Sequence, residues 1–155
     1  MNILLNKTRE EIARDNVTKA EVERITDHID QRFNKLEAKI DQLIGKNQQV
    51  LHISVHSFCP KERGVEHNAA IGLLYDSHRS GEKEVVRIWH ELLLKRTPYT
   101  VRLNYPRSGR GDNYTSYLRK HLNQEDYLGI ELEVNALVLE DKNSVDSVQI
   151  GRAHV

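Results

Sequence analysis

The chain has 155 residues, of which 38% are hydrophobic and 30% charged, and both proportions are typical of a folded globular domain. Basic and acidic residues number 23 each, so the formal net charge is zero, and no long basic run indicates a nucleic-acid partner. No apolar run approaches the roughly 20 residues of a membrane helix, and residues 1–9 lack the apolar segment of a signal peptide. Because Cys59 is the single cysteine, no disulfide can form within the chain, and we expect a cytoplasmic protein.

A long amphipathic helix is predicted over residues 18–45. Thr18 and Glu21 have the spacing of a capping box, and Gly45 supplies a C-terminal stop. Apolar residues recur along one face at steps of three and four, namely Val22, Ile25, Ile29, Phe33, Leu36, Ile40 and Leu43. We expect this face to pack on its own domain; a short coiled coil that joins two chains is the alternative.

The remaining segments alternate between strand and helix patterns. Strands are predicted at 50–56, 69–75, 100–103 and 128–134, helices at 82–95 and 114–122, and loops at 61–68, 76–81 and 104–113. The apolar face predicted for the helix at 82–95 consists of Val85, Ile88, Trp89 and Leu92. Strands separated by helices predict an α/β fold, in which functional residues gather at the carboxyl ends of the strands.

Two polar residues near strand ends are the first candidates for chemistry. His56 ends a strand whose apolar side chains all lie on the other face, and a neutral imidazole there can bind zinc. Glu133 lies on the polar face of the last predicted strand, where a carboxylate can act as a general base. A structural histidine and a salt-bridged glutamate are the simpler alternatives. Cys59 as a nucleophile, with His56 as its base, ranks lower.

Four segments in order resemble the N-formylglutamate amidohydrolases. Residues 51–60 are similar to the family's His-Ile-Ser-Val-His-Ser-Phe-Thr-Pro segment, and residues 69–76 to its Ala-Asp-Ile-Gly-Leu-Leu-Tyr-Asp segment. Asn104-Tyr-Pro, with Gly109, Asp112 and Thr115, follows the family's Asn-Tyr-Pro loop, and residues 129–135 resemble its Glu-(Ile/Val)-Asn strand. Together these segments cover about residues 50–140.

The resemblance implies a fold and an activity. The fold would be a mixed sheet flanked by helices, of the phosphorylase/hydrolase-like type found in zinc carboxypeptidases. His56 would be the third zinc ligand, and Glu133 the general base that activates a zinc-bound water. The substrate would be an N-formyl amino acid, hydrolysed to formate and the free amino acid. Asn104 and an arginine, for which Arg102 is the first choice, would hold the substrate.

The chain also departs from the family pattern. The family's first two zinc ligands belong to an early motif, and residues 1–50 contain no His-x-x-Glu or comparable pair. His67 and Ala70 stand where the family has arginine and aspartate, and Arg107 and Asn113 replace tyrosine and glycine. We therefore expect residues 1–148 to be the C-terminal part of an amidohydrolase domain, with an unpaired sheet edge. An inactive remnant or an interaction domain is the alternative.

The last residues, 149–155, have a different origin in our interpretation. One reading frame of a widely used sequencing adapter encodes Ile-Gly-Arg-Ala-His-Val followed by a stop, which matches the C-terminus of this chain. We therefore exclude His154 from any predicted metal site.

Overall fold

The computed structural model describes residues 18–140, so residues 1–17 and the suspected tail at 149–155 lie outside the described part. The described residues fall into two compact units, and the boundary along the chain lies between Lys46 and Asn47. Among residues 18–140, no helix combines the length and the apolar composition needed to cross a membrane.

The first unit contains one described helix, α1, over Lys19–Ile44. The predicted capping box is confirmed, since the Glu21 amide donates to Thr18 Oγ1 at 3.2 Å and the Thr18 amide donates to Glu21 Oε2 at 2.8 Å. The helix ends before Gly45 as predicted, but Gly45 has a right-handed φ of −61°. The apolar stripe is buried at Ile40, whereas Val22, Ile25, Ile29 and Phe33 are 38–56% exposed.

The second unit contains the remaining elements. In chain order they are β1 (Val50–Phe58), β2 (Lys61–Glu62), β3 (Val65–Glu66), β4 (Ile71–Leu74), α2 (Ser80–Arg96), β5 (Val101–Leu103), α3 (Tyr114–His121), β6 (Tyr127–Asn135) and α4 (Ala136–Glu140). The four predicted strands and two predicted helices of this unit are confirmed with small shifts at their ends. The segment 61–68, predicted as a loop, contains the small antiparallel hairpin β2–β3, and α4 was not predicted.

Four strands form a mixed sheet in the order β1-β6-β4-β5. β1 runs parallel to β6, β4 runs parallel to β5, and β4 and β6 are antiparallel. β6 is central, and all nine of its residues are buried. The predicted α/β class, with a mixed sheet flanked by helices, is therefore confirmed.

One face of the sheet carries the hydrophobic core. Ile130, Leu132 and Val134 of β6 join residues of β4 and β5, and α2 covers them with Val86 and Leu93. The predicted core face of α2 was partly wrong, because Ile88 is 46% exposed and Leu92 is 43% exposed. The helix is rotated so that Glu82, Val86 and Leu93 are buried. Val86 and Leu93 are apolar residues that the prediction left out, and Glu82 on the same face is bound by arginine partners described below.

Candidate active site

The two main candidate residues lie side by side on the other, polar face of the sheet. His56 of β1 is the register partner of Glu133 of β6, and Ser54 is the partner of Glu131. Register partners on adjacent strands project from the same face. The His56–Glu133 pair lies toward the carboxyl ends of its two parallel strands, and the Ser54–Glu131 pair lies at their midpoints. Glu133 is fully buried, whereas His56 is exposed and its Nε2 lies 3.0 Å from Ser54 Oγ. The structure thus brings the predicted metal ligand and the predicted base together.

The two carboxylate oxygens of Glu133 differ in their hydrogen bonding. Oε1 accepts a hydrogen bond from Nη2 of Arg107, whose side chain is 63% exposed. Oε2 is buried and finds no hydrogen-bond donor within residues 18–140. The bond to Glu133 raises the pKa of the Arg107 guanidinium. A buried acceptor without a partner costs about 1–3 kcal/mol, so Oε2 is a place where a bound donor would be favoured.

A second buried carboxylate, Glu131, lies two residues earlier on the same face. Its Oε1 accepts a hydrogen bond from the Thr115 hydroxyl at 2.5 Å, which ties β6 to the first turn of α3. Nearby, His52 Nδ1 lies 2.7 Å from the Tyr127 hydroxyl. Burial lowers the pKa of His52, although the charge of Glu131 acts in the opposite direction, and burial raises the pKa of Tyr127.

The loop between β5 and α3 reaches Glu133 because Gly72 has no side chain. Gly72 is the register partner of Glu133 on β4, and a Cβ atom there would lie 1.8 Å from the carbonyl oxygen of Tyr105. Gly109 makes a similar close approach, since its Cβ would lie 2.2 Å from the Tyr75 nitrogen. The loop backbone therefore rests directly on β4 and brings Arg107 to the carboxylate.

The two predicted substrate-binding residues lie on this side of the sheet. Arg102 of β5 is the register partner of Gly72, so His56, Glu133, Gly72 and Arg102 form one row across the four strands. Two strand spacings place Arg102 about 10 Å from Glu133 at the backbone. Its guanidinium lies 5.2 Å from the centre of the Tyr105 ring.

Asn104 lies at the start of the loop, with a positive φ of 49°. Its Oδ1 accepts hydrogen bonds from the backbone amides of Tyr75 and Gly109, each at 3.0 Å. The carbonyl end of the side chain is therefore engaged in holding the loop. A substrate contact by Asn104 stays a prediction and would have to use the amide nitrogen.

A buried ion pair between α2 and α3 holds together the elements that surround the candidate site. The Glu82 carboxylate, fully buried at the start of α2, accepts from Arg119 Nε at 2.9 Å and from the backbone amides of Asp76 and Gly129. Arg119 also donates to the carbonyl oxygens of Gly109 and Gly129. Arg79 adds bonds to the carbonyl oxygens of Leu122 and Tyr127. These contacts join α2, α3, β6 and the loop.

The described residues do not by themselves fit a zinc site. Catalytic zinc needs three protein ligands and an open position. Within residues 18–140, no three side chains of the His, Cys, Asp and Glu types converge in a geometry that could hold a metal ion. His56 has Glu133 as its register partner, but Oε1 of that carboxylate is bound by Arg107.

Sequence reasoning missed several residues of this region. Arg107 was noted only as a departure from the family pattern, and no periodicity connects it with Glu133, 26 positions away. Gly72 and Glu82 were given no role. The one available signal was the pair of glutamates on a strand in the middle of the sheet, which is unusual unless they have buried partners.

Comparisons with known proteins give the fold alone. No protein-family profile and no curated protein matches the chain. A solved structure, the crystal structure of gene product Atu2144 from Agrobacterium tumefaciens, is similar with a TM-score of 0.56 and 20% sequence identity. The match covers 84% of this chain and 50% of that one, so the chain spans half the length of this structural neighbour.

Proposed function

We propose that the chain is part of a zinc-dependent amidohydrolase that resembles the N-formylglutamate amidohydrolases, with their zinc carboxypeptidase-like fold. The reaction would be hydrolysis of the N-formyl amide bond of an amino acid to formate and the free amino acid. One observation supports this most: the buried carboxylate of Glu133 lies in register with His56 and has one oxygen without a protein donor. A cytoplasmic location is part of this proposal, since a single cysteine permits no disulfide within the chain.

In this proposal Glu133 is the general base. Its Oε2 has no protein donor and can therefore accept a proton from a water molecule that attacks the formyl carbon. As the carbon–nitrogen bond breaks, the proton passes to the leaving amine. Arg102, in the same cross-strand row, would bind the substrate carboxylate, and Asn104 would contact the substrate through its amide nitrogen.

The metal requires ligands beyond the described residues. His56 is the one ligand proposed within residues 18–140, and the remaining ligands would come from outside that range. When bound, zinc would polarise the formyl oxygen.

A second candidate, a domain without catalysis, is favoured by one specific contact. Arg107 binds the carboxylate that the proposed reaction needs, and it does so at a position where the family carries tyrosine. An arginine that satisfies Glu133 would let the fold persist without metal.

The test uses the purified 155-residue chain. We would measure zinc stoichiometry and formate release from N-formyl-L-glutamate, with and without a chelator. Chelator-sensitive turnover that is lost in Glu133→Gln and kept in Glu125→Gln, an exposed control, would support the amidohydrolase. Absence of zinc binding and of turnover would leave the non-catalytic domain.

A further inference from the structure

A small cavity lies where the loop after β4, the loop after β5 and the helix α3 come together. Its volume is about 200 Å³, and it is lined by Asp76, Arg110, Ser116, Arg119 and Lys120. The cavity shares no residue with the cross-strand row of His56, Glu133, Gly72 and Arg102. It is smaller than the roughly 300–1,000 Å³ of pockets that hold drug-sized ligands, so a small ligand fits it better.

The lining of this cavity is mainly cationic, although the formal net charge of the whole chain is zero. Arg110, Arg119 and Lys120 contribute positive charges, and Asp76 is the one acid among the lining residues. The arginine and lysine heads have hydrogen-bond donors and no acceptor, and Ser116 adds a hydroxyl that can donate. Such a group matches an oxyanion, and the arginine fork suits the oxygens of a phosphate.

Arg119 is fixed in the cavity wall by its own contacts. Its side chain is 6% exposed, and its Nε donates to the buried Glu82 carboxylate at 2.9 Å. Nη1 donates to the Gly109 carbonyl oxygen at 2.6 Å, and Nη2 donates to the Gly129 carbonyl oxygen at 2.5 Å. Ser116 lies one turn earlier on α3, with its hydroxyl oxygen 3.4 Å from Nη1. Because this wall is already ordered, ligand binding costs little conformational entropy there.

Arg110 can turn toward a ligand at little cost. Its side chain is 54% exposed, and its Nε lies 3.7 Å from Asp76 Oδ1, which is longer than a hydrogen bond. Its Nη1 lies 3.5 Å from His78 Nε2. Exposed ion pairs contribute little to stability. Bidentate binding of an oxyanion would therefore exchange long, weak contacts of Arg110 for shorter charge-assisted hydrogen bonds.

We propose that this cavity binds the phosphate group of a small molecule. Arg110 and Lys120 make the direct ionic contacts, Ser116 donates through its hydroxyl, and Arg119 supplies a fixed positive charge. Asp76 repels the anion, so it limits the affinity and gives the site a distinctive response to mutation. The proposal rests on this cavity and is independent of the proposed function.

The first test titrates the full chain with inorganic phosphate at constant ionic strength and follows the backbone amide signals by NMR, which also show whether each variant is folded. We expect saturable shifts at Arg110, Ser116 and Lys120. Arg110→Gln should weaken binding about tenfold, the effect of losing one charge-assisted hydrogen bond. Arg87→Gln is the matched control and should leave the affinity unchanged, since Arg87 is 56% exposed and Arg110 is 54% exposed. Shifts that do not saturate, or equal affinities of the two variants, would overturn the proposal.

The second test removes the acid of the cavity. Asp76→Asn keeps the oxygen that accepts from the His78 amide at 3.0 Å but loses the negative charge, so phosphate should bind severalfold more tightly. Glu66→Gln, which removes an acid of β3 that is 80% exposed, should not change the affinity. Unchanged or weaker binding by Asp76→Asn would contradict the proposal.

The source of the phosphate group is identified by comparing inorganic phosphate with glycerol 3-phosphate in the same titration. Equal affinities would support the free anion as the ligand, and tighter binding of the ester would support a phosphorylated small molecule. Failure of both compounds to bind would overturn the proposal.

Discussion

Arg107 donates a hydrogen bond to the buried carboxylate of Glu133, and this ion pair joins the loop after β5 to the central strand β6. The loop can approach Glu133 this closely because Gly72, the neighbour of Glu133 on β4, has no side chain to hold the loop backbone away. The pair therefore links a residue that differs from the resembled family to the residue proposed as the base. Its strength can be measured independently of any activity.

Arg107→Met should destabilise the fold, because it leaves a buried carboxylate without its cation. Loss of a buried partner costs several kcal/mol, but Arg107 is 63% exposed and its attraction is partly screened, so we expect about 1–3 kcal/mol. Urea denaturation would measure the change. Arg87→Met is the matched control: its side chain is 56% exposed and pairs with Glu84 and Glu91, and its loss should cost much less stability than the loss of Arg107, because exposed ion pairs contribute little.

The coupling between the two residues is tested by a double-mutant cycle. Once Glu133→Gln has removed the charge, Arg107→Met should cost much less than it does in the unchanged protein. Equal costs of Arg107→Met in both backgrounds would show that the ion pair does not form in solution.

Gly72→Ala should loosen the loop over the sheet. The added Cβ would lie 1.8 Å from the Tyr105 carbonyl oxygen, and a backbone atom cannot move aside as a flexible side chain can. Overpacking of this kind costs about 1–3 kcal/mol, and we expect the upper part of that range in thermal or urea unfolding. Gly111→Ala in the same loop meets its nearest neighbour, the Ser108 carbonyl oxygen, at 3.2 Å and should cost less, because a shift of a few tenths of an ångström relieves the contact. Equal losses in the two variants would contradict the close approach.

Asn104 should stabilise the fold whether or not it contacts a substrate. Asn104→Ala removes the acceptor of two backbone amides and leaves a non-glycine residue at positive φ, which together should cost about 2–4 kcal/mol. Asn104→Asp keeps the acceptor oxygen and should recover most of the loss. Hydrogen exchange at the Tyr75 and Gly109 amides would follow the effect, and unchanged protection in Asn104→Ala would argue against this role.

His52 should make stability depend on pH on the acidic side of neutrality. Burial lowers its pKa in the folded state, so below about pH 6.5 the unfolded chain binds a proton that the folded chain resists. The free energy of unfolding should therefore fall as pH decreases from 7.5 to 5.5. The free energy of unfolding of His52→Gln should fall less over the same interval. Denaturation at the two pH values gives both slopes; identical slopes would show that His52 is not buried in its neutral form.

Local structure was largely predictable because its signals are local. The capping pair Thr18 and Glu21 defined the start of α1, and the alternation of His52, Ser54 and His56 with apolar neighbours defined the two faces of β1. Errors occurred where a distant partner decided the outcome. The buried face of α2 includes Glu82, whose partner Arg119 lies on another helix, and the apolar pattern of α2 alone gave no reason to place a glutamate there.

Several residues that carry the family resemblance build the loop and the sheet. Asn104 holds the loop through two amides, and Thr115 donates to Glu131. Asn135 donates to the carbonyl oxygens of His67 and Ala69. These contacts hold the fold together, and they are separate from the proposed chemistry.

The sequence by itself determined the main helices and strands, the α/β class and the two candidate residues His56 and Glu133, since periodicity, capping and strand alternation depend on neighbours along the chain. Only the tertiary structure decided that these two residues are register partners, that Arg107 binds Glu133, and that β6 lies between β1 and β4. Strand order and loop placement depend on contacts between segments dozens of residues apart. Such contacts depend on how whole surfaces pack together, and the pattern of apolar and polar residues along the chain does not specify that packing.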